Sequence, residues 1–375
     1  MFLQSLHLQQ FRNYSDQTVE FLAPKTILLG ENAQGKSNLL EAVELLATLK
    51  SHRTNRDRDL VQTDMATAQI RASLNRELGI SSLQLTLRKG SRRTAVINGE
   101  TLRRQQDFLG NLNAVQFSCL DLELVRGGPG ARRTWTDTLL MQLEPVYVHI
   151  LQQYSQVLKQ RNAFIKQQTA DPDQPPPIEP TQLALWDAQL ASLGTRVIRR
   201  RARMLQRLIP IAQSWHQAIS GSTEQLDIYY SPNVDVDSDD ASQIQQAFLE
   251  KLQSRAMVEY YQRTTLVGPH RDDITFLINE TPARQYGSQG QQRTLVLALK
   301  LSELQLIEEV VGEPPLLLLD DVLAELDLNR QNQLLNTIQD RFQTLITTTH
   351  LGSFDAKWLT SSQVLQVKNG HLLAS

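Results

Sequence analysis

An eight-residue segment, Gly30-Glu-Asn-Ala-Gln-Gly35-Lys36-Ser37, constrains the fold of this chain more than any other feature. It fits the pattern G-x-x-x-x-G-K-[ST], in which glycines let backbone N–H groups curl around phosphate oxygens. The apolar run before it, 25–29, is typical of a buried strand, and apolar residues at helical spacing follow it. The segment therefore predicts a phosphate-binding loop between a strand and a helix, and with it an α/β fold.

The chemistry of this loop predicts ATP and Mg²⁺ as its ligands. Lys36 reaches the β- and γ-phosphates, the Ser37 hydroxyl ligates Mg²⁺, and the start of the helix adds a partial positive charge. An ordinary glycine-rich turn before a helix is the alternative, and the correct flanks on both sides disfavour it. The nucleotide-binding residues are Gly30, Glu31, Asn32, Ala33, Gln34, Gly35, Lys36 and Ser37.

Two carboxylates follow a second apolar run, Leu316 to Leu319. Asp320 has the position of the Mg²⁺ ligand at the end of a Walker B strand, and Asp321 is placed to orient or deprotonate the attacking water. Paired aspartates after a buried strand also occur in ordinary turns, but the phosphate-binding loop favours the catalytic interpretation. His350 ends the next β-branched segment, where ABC-type ATPases keep a histidine that senses the γ-phosphate.

A third motif, Ser288-Gln-Gly290-Gln291-Gln292-Arg293, immediately precedes an apolar helix. Small residues at a helix start leave N–H groups pointing outward, which creates an anion site. In ABC-type ATPases this signature docks on the γ-phosphate held by the other subunit, so Ser288, Gly290 and Gln291 predict an ATP-dependent homodimer. A polar helix cap is the alternative for this motif taken alone.

The length of 375 residues exceeds what one hydrophobic core usually serves, so an inserted second domain is expected. The predicted fold class is α/β, with an ABC-type P-loop ATPase head of mixed sheets and flanking helices over 1–125 and 263–375. A helical arm over 126–262 interrupts this head. Its predicted parts are helices over 137–168, 181–220 and 241–262, a proline-rich loop at 171–180 and an acidic loop at 235–240.

The ordered set of motifs resembles the RecF family, bacterial recombination and repair ATPases that are short-armed relatives of the SMC ATPases. The segments that carry the resemblance are Leu8-Gln-Gln-Phe-Arg-Asn-Tyr14, the phosphate-binding loop, Ser51-His-Arg-Thr54, Gly128-Pro129, Arg132-Arg133, Gly268-Pro-His-Arg-Asp-Asp273, Tyr286 to Arg293 and Leu319 to Asp327. It implies an ATP-dependent dimer of recombinational repair and replication restart, which binds single-stranded and gapped DNA and junctions. It also implies work with RecR and RecO-like mediators, loading of RecA and support of SOS induction.

The resemblance also implies roles for single residues. Gln116 matches the Q-loop residue that ligates the metal, although Ser118-Cys-Leu-Asp121 replaces the Pro-Glu-Asp that family members often have after this strand. Asp321 stands where most ABC-type ATPases have glutamate. Its shorter side chain implies slow, DNA-stimulated hydrolysis that acts as a switch rather than a motor.

Three clusters of basic residues are candidates for contact with the DNA backbone. One lies on the predicted helix 181–220, with Arg196, Arg199, Arg200, Arg201, Arg203 and Arg207. The others are Arg88, Lys89, Arg92 and Arg93 at a hairpin, and Arg53, Arg56 and Arg58. Pairing of the arginines with acids of the arm is the alternative, and the sequence does not decide which cluster contacts DNA.

Composition narrows the class of protein further. A net charge of −2 excludes a globally basic nucleic-acid coat protein, and the single Cys119 excludes zinc fingers and iron–sulfur clusters built on cysteine sets. No membrane-spanning run or signal peptide is present in the sequence, so a cytoplasmic protein without a membrane partner is expected. The ATPase subunit of a membrane transporter and an adaptor with a degenerate nucleotide site are the alternatives. The long arginine-bearing insert disfavours the first, and the intact phosphate and metal motifs disfavour the second.

Overall fold

The computed structural model describes residues 1–77, 79–168, 180–234, 238–326, 328–338, 341–352, 354 and 356–374. The strands are β1 (Phe2–Phe11), β2 (Tyr14–Glu20), β3 (Lys25–Leu29), β4 (Thr67–Arg76), β5 (Gly79–Arg88), β6 (Thr94–Ile97), β7 (Glu100–Thr101), β8 (Ala114–Ser118), β9 (Leu226–Ser231), β10 (Asp273–Ile278), β11 (Thr281–Pro282), β12 (Leu316–Asp320), β13 (Thr344–Thr348), β14 (Ser362–Lys368) and β15 (His371–Ala374). The helices are α1 (Lys36–Thr48), α2 (Glu123–Arg126), α3 (Pro129–Leu143), α4 (Val146–Gln168), α5 (Pro180–Ser220), α6 (Ala241–Gln262), α7 (Ala283–Tyr286), α8 (Gln289–Val311), α9 (Leu328–Ile338) and α10 (Ala356–Thr360).

The described residues divide into two compact units. The first unit comprises 1–122, 211–224 and 288–375, and the second comprises 123–210 and 225–287. These limits differ from the predicted domain boundaries at 125/126 and 262/263, because β10 lies in the second unit and the end of α5 lies in the first. The boundaries between the ATPase head and the helical arm, at 125/126 and 262/263, stay a prediction.

A mostly parallel sheet positions the phosphate-binding loop in the first unit. Its strand order is β15-β14-β3-β13-β12-β8, and β3, β13, β12, β8 and β14 run parallel, with β15 antiparallel at one edge. The strands β3 and β12 are almost wholly buried and carry the apolar residues Ile27 to Leu29 and Leu316 to Leu319, as expected where helices cover a parallel sheet. The two apolar runs of the sequence are thus neighbours of the same strand, β13.

An antiparallel sheet, in the order β2-β1-β4-β5-β6-β7, completes the first unit. The predicted strands at 68–75, 81–88 and 94–98 are confirmed as β4, β5 and β6, and the hairpin at Asn98-Gly99 joins β6 to β7. One buried cluster contains Leu39 and Val43 of α1, Leu6 of this sheet, and Leu28 and Leu318 of the parallel sheet. The helix that follows the phosphate-binding loop is therefore held in the core of the first unit.

The second unit is mainly helical and also contains the antiparallel sheet β11-β10-β9. The predicted helix over 137–168 is wrong as a single helix, because α3 ends at Leu143 and α4 begins at Val146. Pro145 lies between them, and proline lacks the N–H that would continue the hydrogen-bond ladder. The helices predicted over 181–220 and 241–262 are confirmed as α5 and α6.

Two predicted loops lie partly outside the described residues: the proline-rich loop up to residue 179, and residues 235–237 of the acidic loop. Asp327, the last residue of the segment Leu319 to Asp327, also lies outside them. Among the helices that are described, none combines the length and the apolar character needed to span a bilayer.

Candidate nucleotide-binding site

The carboxyl ends of four parallel strands bring the predicted site residues together. Leu29 at the end of β3 pairs with Thr348 of β13, and Asp320 at the end of β12 pairs with both Thr347 of β13 and Ser118 of β8. Ligand sites of open α/β sheets form outside such strand ends. One edge of the sheet therefore carries the phosphate-binding loop, the carboxylates of Asp320 and Asp321, and the residues that follow β13 up to His350.

Close neighbours at both positions, and a positive φ at the second, explain why glycines stand in the phosphate-binding loop. A Cβ atom at Gly30 would lie 2.4 Å from the carbonyl oxygen of Val367. Gly35 has a φ of 116°, and a Cβ there would lie 2.6 Å from the side-chain nitrogen of Asn13. Side chains do not fit at either position, so the loop can keep its path close to neighbouring backbone.

Asparagine side chains hold the loop from outside. The Nδ2 of Asn13 donates to the carbonyl of Gln34 at 2.9 Å, and its Oδ1 accepts from Asn38 Nδ2 at 2.8 Å. The hydroxyl of Tyr14 donates to the carbonyl of Gly35 at 3.0 Å. These three contacts fix the turn on both sides of Gly35 and the first turn of α1.

Lys36 is buried and its ammonium group lies inside the loop. Its Nζ donates to the carbonyl of Gly30 at 2.8 Å and to the carbonyl of Glu31 at 2.9 Å. The positive charge is therefore held at the centre of the turn, close to backbone N–H groups at the start of α1. This arrangement concentrates positive potential where an anionic ligand would enter.

Ser37 and Asp320 form an oxygen-rich corner beside Lys36. The Ser37 hydroxyl donates to Oδ1 of Asp320 at 2.7 Å, and the Thr347 hydroxyl donates to the same oxygen at 2.8 Å. A hydroxyl and one carboxylate, completed by phosphate and water oxygens, are the donor set that Mg²⁺ uses in nucleotide sites. The residues present therefore fit a magnesium ion, although the described residues contain no cluster of three or more His, Cys, Asp or Glu of the kind that binds metal alone.

Asp321 follows in an unusual backbone conformation. Its φ is 53°, and its N–H donates to the hydroxyl of Thr347 at 2.9 Å. Burial raises the pKa of its carboxyl group, the charge of Lys36 opposes that shift, and the charge of Asp320 adds to it. A carboxylate with a raised pKa accepts a proton more readily, which suits a general base.

His350 and Gln116 occupy different positions at this edge. The exposed His350 follows β13, and its backbone N–H donates to the Thr348 hydroxyl oxygen at 3.3 Å. Gln116 lies two residues before the end of β8, and its Nε2 is 3.3 Å from Nε2 of His52. Nδ1 of His52 is in turn 2.7 Å from the Glu44 carboxylate of α1.

This Gln116 contact was not anticipated from the sequence. Burial lowers the pKa of His52, but the hydrogen bond and the charge of Glu44 outweigh it, so the pKa is raised overall. The side-chain oxygen of Gln116 is buried without a hydrogen-bond partner among the described residues. The structure thus places Gln116 against His52, and its role as a metal ligand stays a prediction.

The signature residues form a separate feature at the start of α8. Ser288 caps this helix: its hydroxyl oxygen accepts from the N–H of Gln291 at 3.2 Å, while Gln291 Oε1 accepts from the N–H of Ser288 at 2.9 Å. Ser288 is exposed, and a Cβ at Gly290 would lie 3.4 Å from the guanidinium of Arg330. The reciprocal cap fixes the orientation of the exposed helix N-terminus.

Thr347, Asn38 and the His52–Glu44 pair are site contacts that the sequence did not predict. Thr347 bridges Asp320 to the backbone of Asp321, but only strand order reveals that it is adjacent to them. The available signal was that Thr347 is a polar residue within a predicted strand. This signal does not identify a site residue unless the adjacent strand is known.

The basic residues of α5 lie in the second unit and mostly contact acids. Arg199 and Arg203 bond to Asp239 at 3.1 Å and 2.7 Å. Arg200 bonds to Glu144 at 3.0 Å. Arg196 and Arg207 are exposed. We call the set Arg196, Arg199, Arg200, Arg201, Arg203 and Arg207 the α5 arginine row.

The chain is similar to known proteins over almost its whole length. The family described as RecF/RecN/SMC N terminal domain matches residues 2–371. A DNA replication and repair protein RecF of Nostoc punctiforme is 69% identical over 373 residues, covering 100% of this chain and 99% of the relative. RecF of Acaryochloris marina is 67% identical over 372 residues, covering 99% of each chain.

A solved structure of the recombination mediator protein RecF with ATP, from the RecFOR pathway, has a similar fold. It gives a TM-score of 0.90 at 31% identity, and covers 100% of this chain and 97% of that chain. Together with the two six-stranded sheets and the helical second unit, this similarity confirms the predicted α/β class, an ABC-type ATPase head with a helical arm.

Proposed function

The chain belongs to the RecF branch of the RecF/RecN/SMC N-terminal domain family, and on this premise we propose that it is an ATP-dependent DNA-binding protein of recombinational repair and replication restart. ATP with Mg²⁺ is its ligand, and bound ATP drives homodimerisation. The dimer binds single-stranded and gapped DNA and junctions, acts with RecR and RecO-like mediators, helps to load RecA and supports SOS induction. The cytoplasm is the compartment for this activity.

The corner formed by Ser37 and Asp320 is the observation that carries this proposal. The 2.7 Å hydrogen bond joins the start of α1 to the end of β12, beside the buried ammonium of Lys36. A hydroxyl, a carboxylate and an ammonium thus converge where the γ-phosphate side of a nucleotide would lie. Bound Mg²⁺ would neutralise phosphate charge, and Ser37 and Asp320 are the residues that would hold it.

The remaining residues of the site divide the work of hydrolysis. Lys36 binds the β- and γ-phosphates in place of the carbonyl groups of Gly30 and Glu31 that it contacts here. Asp321 accepts a proton from the attacking water. The Thr347 hydroxyl orients the carboxylate of Asp320 and the backbone of Asp321. His350 lies at the same sheet edge and contacts the γ-phosphate. The short side chain of Asp321 suits slow turnover, so hydrolysis serves as a switch.

The signature motif supplies the second half of a composite site. Its exposed helix N-terminus at Ser288 offers backbone N–H groups to a phosphate held by another subunit. One chain therefore carries half of each of two sites in a dimer, and dimerisation follows ATP binding.

Substitution of Lys36 by Met tests the nucleotide site. Methionine has a similar length but no charge, so ATP binding should weaken by roughly 100-fold or more, the worth of one or two charge-assisted hydrogen bonds. Lys36→Arg keeps the charge and is the matched control. Isothermal titration with ATP and Mg²⁺ measures the effect, and an unchanged affinity in Lys36→Met would contradict the assignment.

Substitution of Ser288 by Arg tests the composite site. The variant keeps its own phosphate-binding loop and should bind ATP, but bulk and charge should keep it monomeric in sedimentation with ATP and gapped DNA. Ser288→Ala removes only the helix cap, worth about 1 kcal/mol, and should still dimerise. Dimerisation of Ser288→Arg to the parental extent would show that α8 does not face the partner's phosphate.

A further inference from the structure

An open groove on the first unit brings two of the predicted basic clusters together. It has a volume of about 420 Å³, and the residues that line it come from the turn Asp57–Asp59 and from the hairpin between β5 and β6. We call it the arginine groove, and its lining is Arg56, Asp57, Arg58, Arg88, Gly90, Ser91 and Arg92. In the sequence the two clusters are about thirty residues apart.

A bidentate ion pair holds the two walls of the groove together. Arg93, at the base of the hairpin, donates to both carboxylate oxygens of Asp57, at 2.8 Å and 2.5 Å. Its third bond goes to the carbonyl of Leu49 at 2.5 Å. Arg93 therefore has a structural role, because its ion pair with Asp57 joins the hairpin to the turn. The arginines on the two walls of the groove are held in position as a result.

The charge inside the groove is strongly positive because its one acidic lining residue is already neutralised. Asp57 is held by Arg93, which does not itself line the groove. Arg58 lies 3.5 Å from Asp59, with 63% of its side chain exposed. The exposed guanidinium of Arg92 has no carboxylate partner among the residues that the structure describes. Arg56, Arg58 and Arg92 are thus exposed around one opening. The fourth arginine of the lining, Arg88, is half-buried and donates to the Thr94 hydroxyl.

The chemistry of the lining indicates the class of ligand. Protein interfaces are anchored by apolar and aromatic side chains at their centre, and the described lining of the arginine groove contains none. A row of guanidinium groups beside glycine and serine matches the phosphate oxygens of a nucleic-acid backbone. We propose that the arginine groove binds the phosphodiester backbone of DNA. This rests on the proposed function, which supplies DNA as the substrate.

The same segment connects the groove to the helix of the nucleotide site. Glu41 of α1 is fully buried and accepts from Arg12 at 2.6 Å and from the Ser51 hydroxyl at 2.5 Å. Arg53 donates to Asn38 at 2.6 Å, and Arg12 also donates to the carbonyl of Asp59 at 2.8 Å. The segment 51–59, which carries Arg56 and Arg58, is therefore bonded to α1 directly through Ser51 and Arg53, and indirectly at Asp59 through Arg12.

The test uses the full-length protein and the triple variant Arg56→Ala, Arg58→Ala, Arg92→Ala. Binding of fluorescent duplex and gapped DNA is measured against salt concentration, with ATP and Mg²⁺ present. Loss of three phosphate contacts should flatten the slope of log K against log salt by about 2.7 on duplex DNA. At about 0.15 M salt this corresponds to roughly 100-fold weaker binding, equal for all sequences.

A second triple variant controls for net charge. Arg71→Ala, Arg103→Ala, Arg104→Ala removes the same charge from exposed residues of the same unit outside the groove lining. It should change the slope by less than one. An equal loss in both triple variants would overturn the assignment, as would a parental slope in the groove variant. If the groove triple variant does not fold, Arg92→Ala alone should flatten the slope by about 0.9.

The parent protein separates failure of this inference from failure of the proposed function. A parent that binds ATP but no DNA would contradict the DNA-binding function itself, and the groove assignment with it. A parent that binds DNA, with a groove variant that binds equally well, would overturn the groove assignment alone. Binding of the parent to an acidic peptide that the groove variant loses, with DNA binding unchanged, would assign the groove to a protein partner instead.

Discussion

The α5 arginine row has six arginines and the lining of the arginine groove has four, and the two sets have opposite surroundings. In the α5 arginine row, Arg199 and Arg203 share Asp239, and Arg200 pairs with Glu144. In the groove, the acidic lining residue Asp57 is held by Arg93 from outside the lining. The α5 arginine row contains more basic residues than the arginine groove. The positive charge that remains available to a ligand is nevertheless greater in the groove.

Burial separates the two regions further. Arg201 is 3% exposed and bonds to Asp137 at 2.9 Å and to Asp272 at 2.9 Å, and Asp272 is itself 1% exposed. Burial lowers the pKa of Arg201, but the surrounding negative groups, Asp137 first, raise it far more. The charge of Arg201 is therefore neutralised by carboxylates inside the second unit. A run of arginines on one helix can therefore be engaged mostly by internal ion pairs, whereas a smaller cluster elsewhere keeps its charge available to a ligand.

Substitution of Arg201 by Ala should have the largest effect on this comparison. It leaves two buried carboxylates without their partner, and breaking a buried ion pair costs about 3–5 kcal/mol of unfolding free energy. Urea unfolding measures the loss. Arg196→Ala, an exposed position on the same helix, should change stability by less than about 0.5 kcal/mol. A change in Arg201→Ala as small as in this control would remove the distinction between structural and available arginines.

Acidification should weaken the same unit through His270. Its Nδ1 lies 2.6 Å from the Tyr154 hydroxyl and its Nε2 lies 3.1 Å from the carbonyl of Thr265. Burial lowers the pKa of His270 from 6.5 to about 4, and nearby arginines contribute. Because the folded pKa lies below the unfolded one, stability is complete above about pH 6.5 and falls as the pH decreases towards 4.

The size of this effect can be checked directly. Each tenfold difference in proton affinity is worth about 1.4 kcal/mol, so the loss should reach about 3 kcal/mol by pH 4. Unfolding of the parent and of His270→Gln is compared at pH 7, 6, 5 and 4, because the variant lacks the titrating group. Equal pH dependence of the two proteins would show that His270 does not carry the effect.

The triple variant Arg199→Ala, Arg200→Ala, Arg203→Ala should have a moderate effect on stability and little on DNA binding. Each lost pair is partly exposed and worth about 0–1 kcal/mol. The salt slope should change by less than one, because these guanidinium groups are already engaged by carboxylates. Salt-dependent DNA binding and thermal unfolding are measured together. A slope that flattens by about 2.7 would instead make the α5 arginine row the DNA site.

Substitution of Asp239 by Asn should have the smallest effect. Hydrogen bonds from Arg199 and Arg203 lower the pKa of Asp239, so the pairs are formed at neutral pH and are lost only below the ordinary value of 3.8. If the groove binds DNA, releasing these two arginines should raise DNA affinity by less than about threefold at pH 7. If the α5 arginine row binds DNA, the gain should exceed about tenfold. Glu250→Gln, at an exposed acid that pairs with Gln246, is the matched control.

Much of the nucleotide site could be predicted from the sequence because its motifs are local. Gly30 to Ser37 combine strand, turn and helix signals within eight residues, and Asp320 ends an apolar run that reads as a strand. The helices α5 and α6 were also predictable, since apolar periodicity extends over many turns. The predicted helix over 137–168 was wrong because the helical spacing of apolar residues continues across Pro145. The backbone hydrogen bonds of a helix do not continue there, since proline has no N–H.

The side chains proposed for the site follow from local sequence motifs: the glycines of the loop, the ammonium of Lys36, the hydroxyl of Ser37 and the carboxylate of Asp320. Which distant residues lie beside them, and which charges stay available to a ligand, depends on the tertiary packing. Thr347 meets Asp320 because β13 lies between β3 and β12. Asp57 is neutralised by Arg93, and Asp239 neutralises Arg199 and Arg203. The physical reason is that electrostatic and hydrogen-bond energies depend on separation in space, which strand order and helix packing fix and chain position does not.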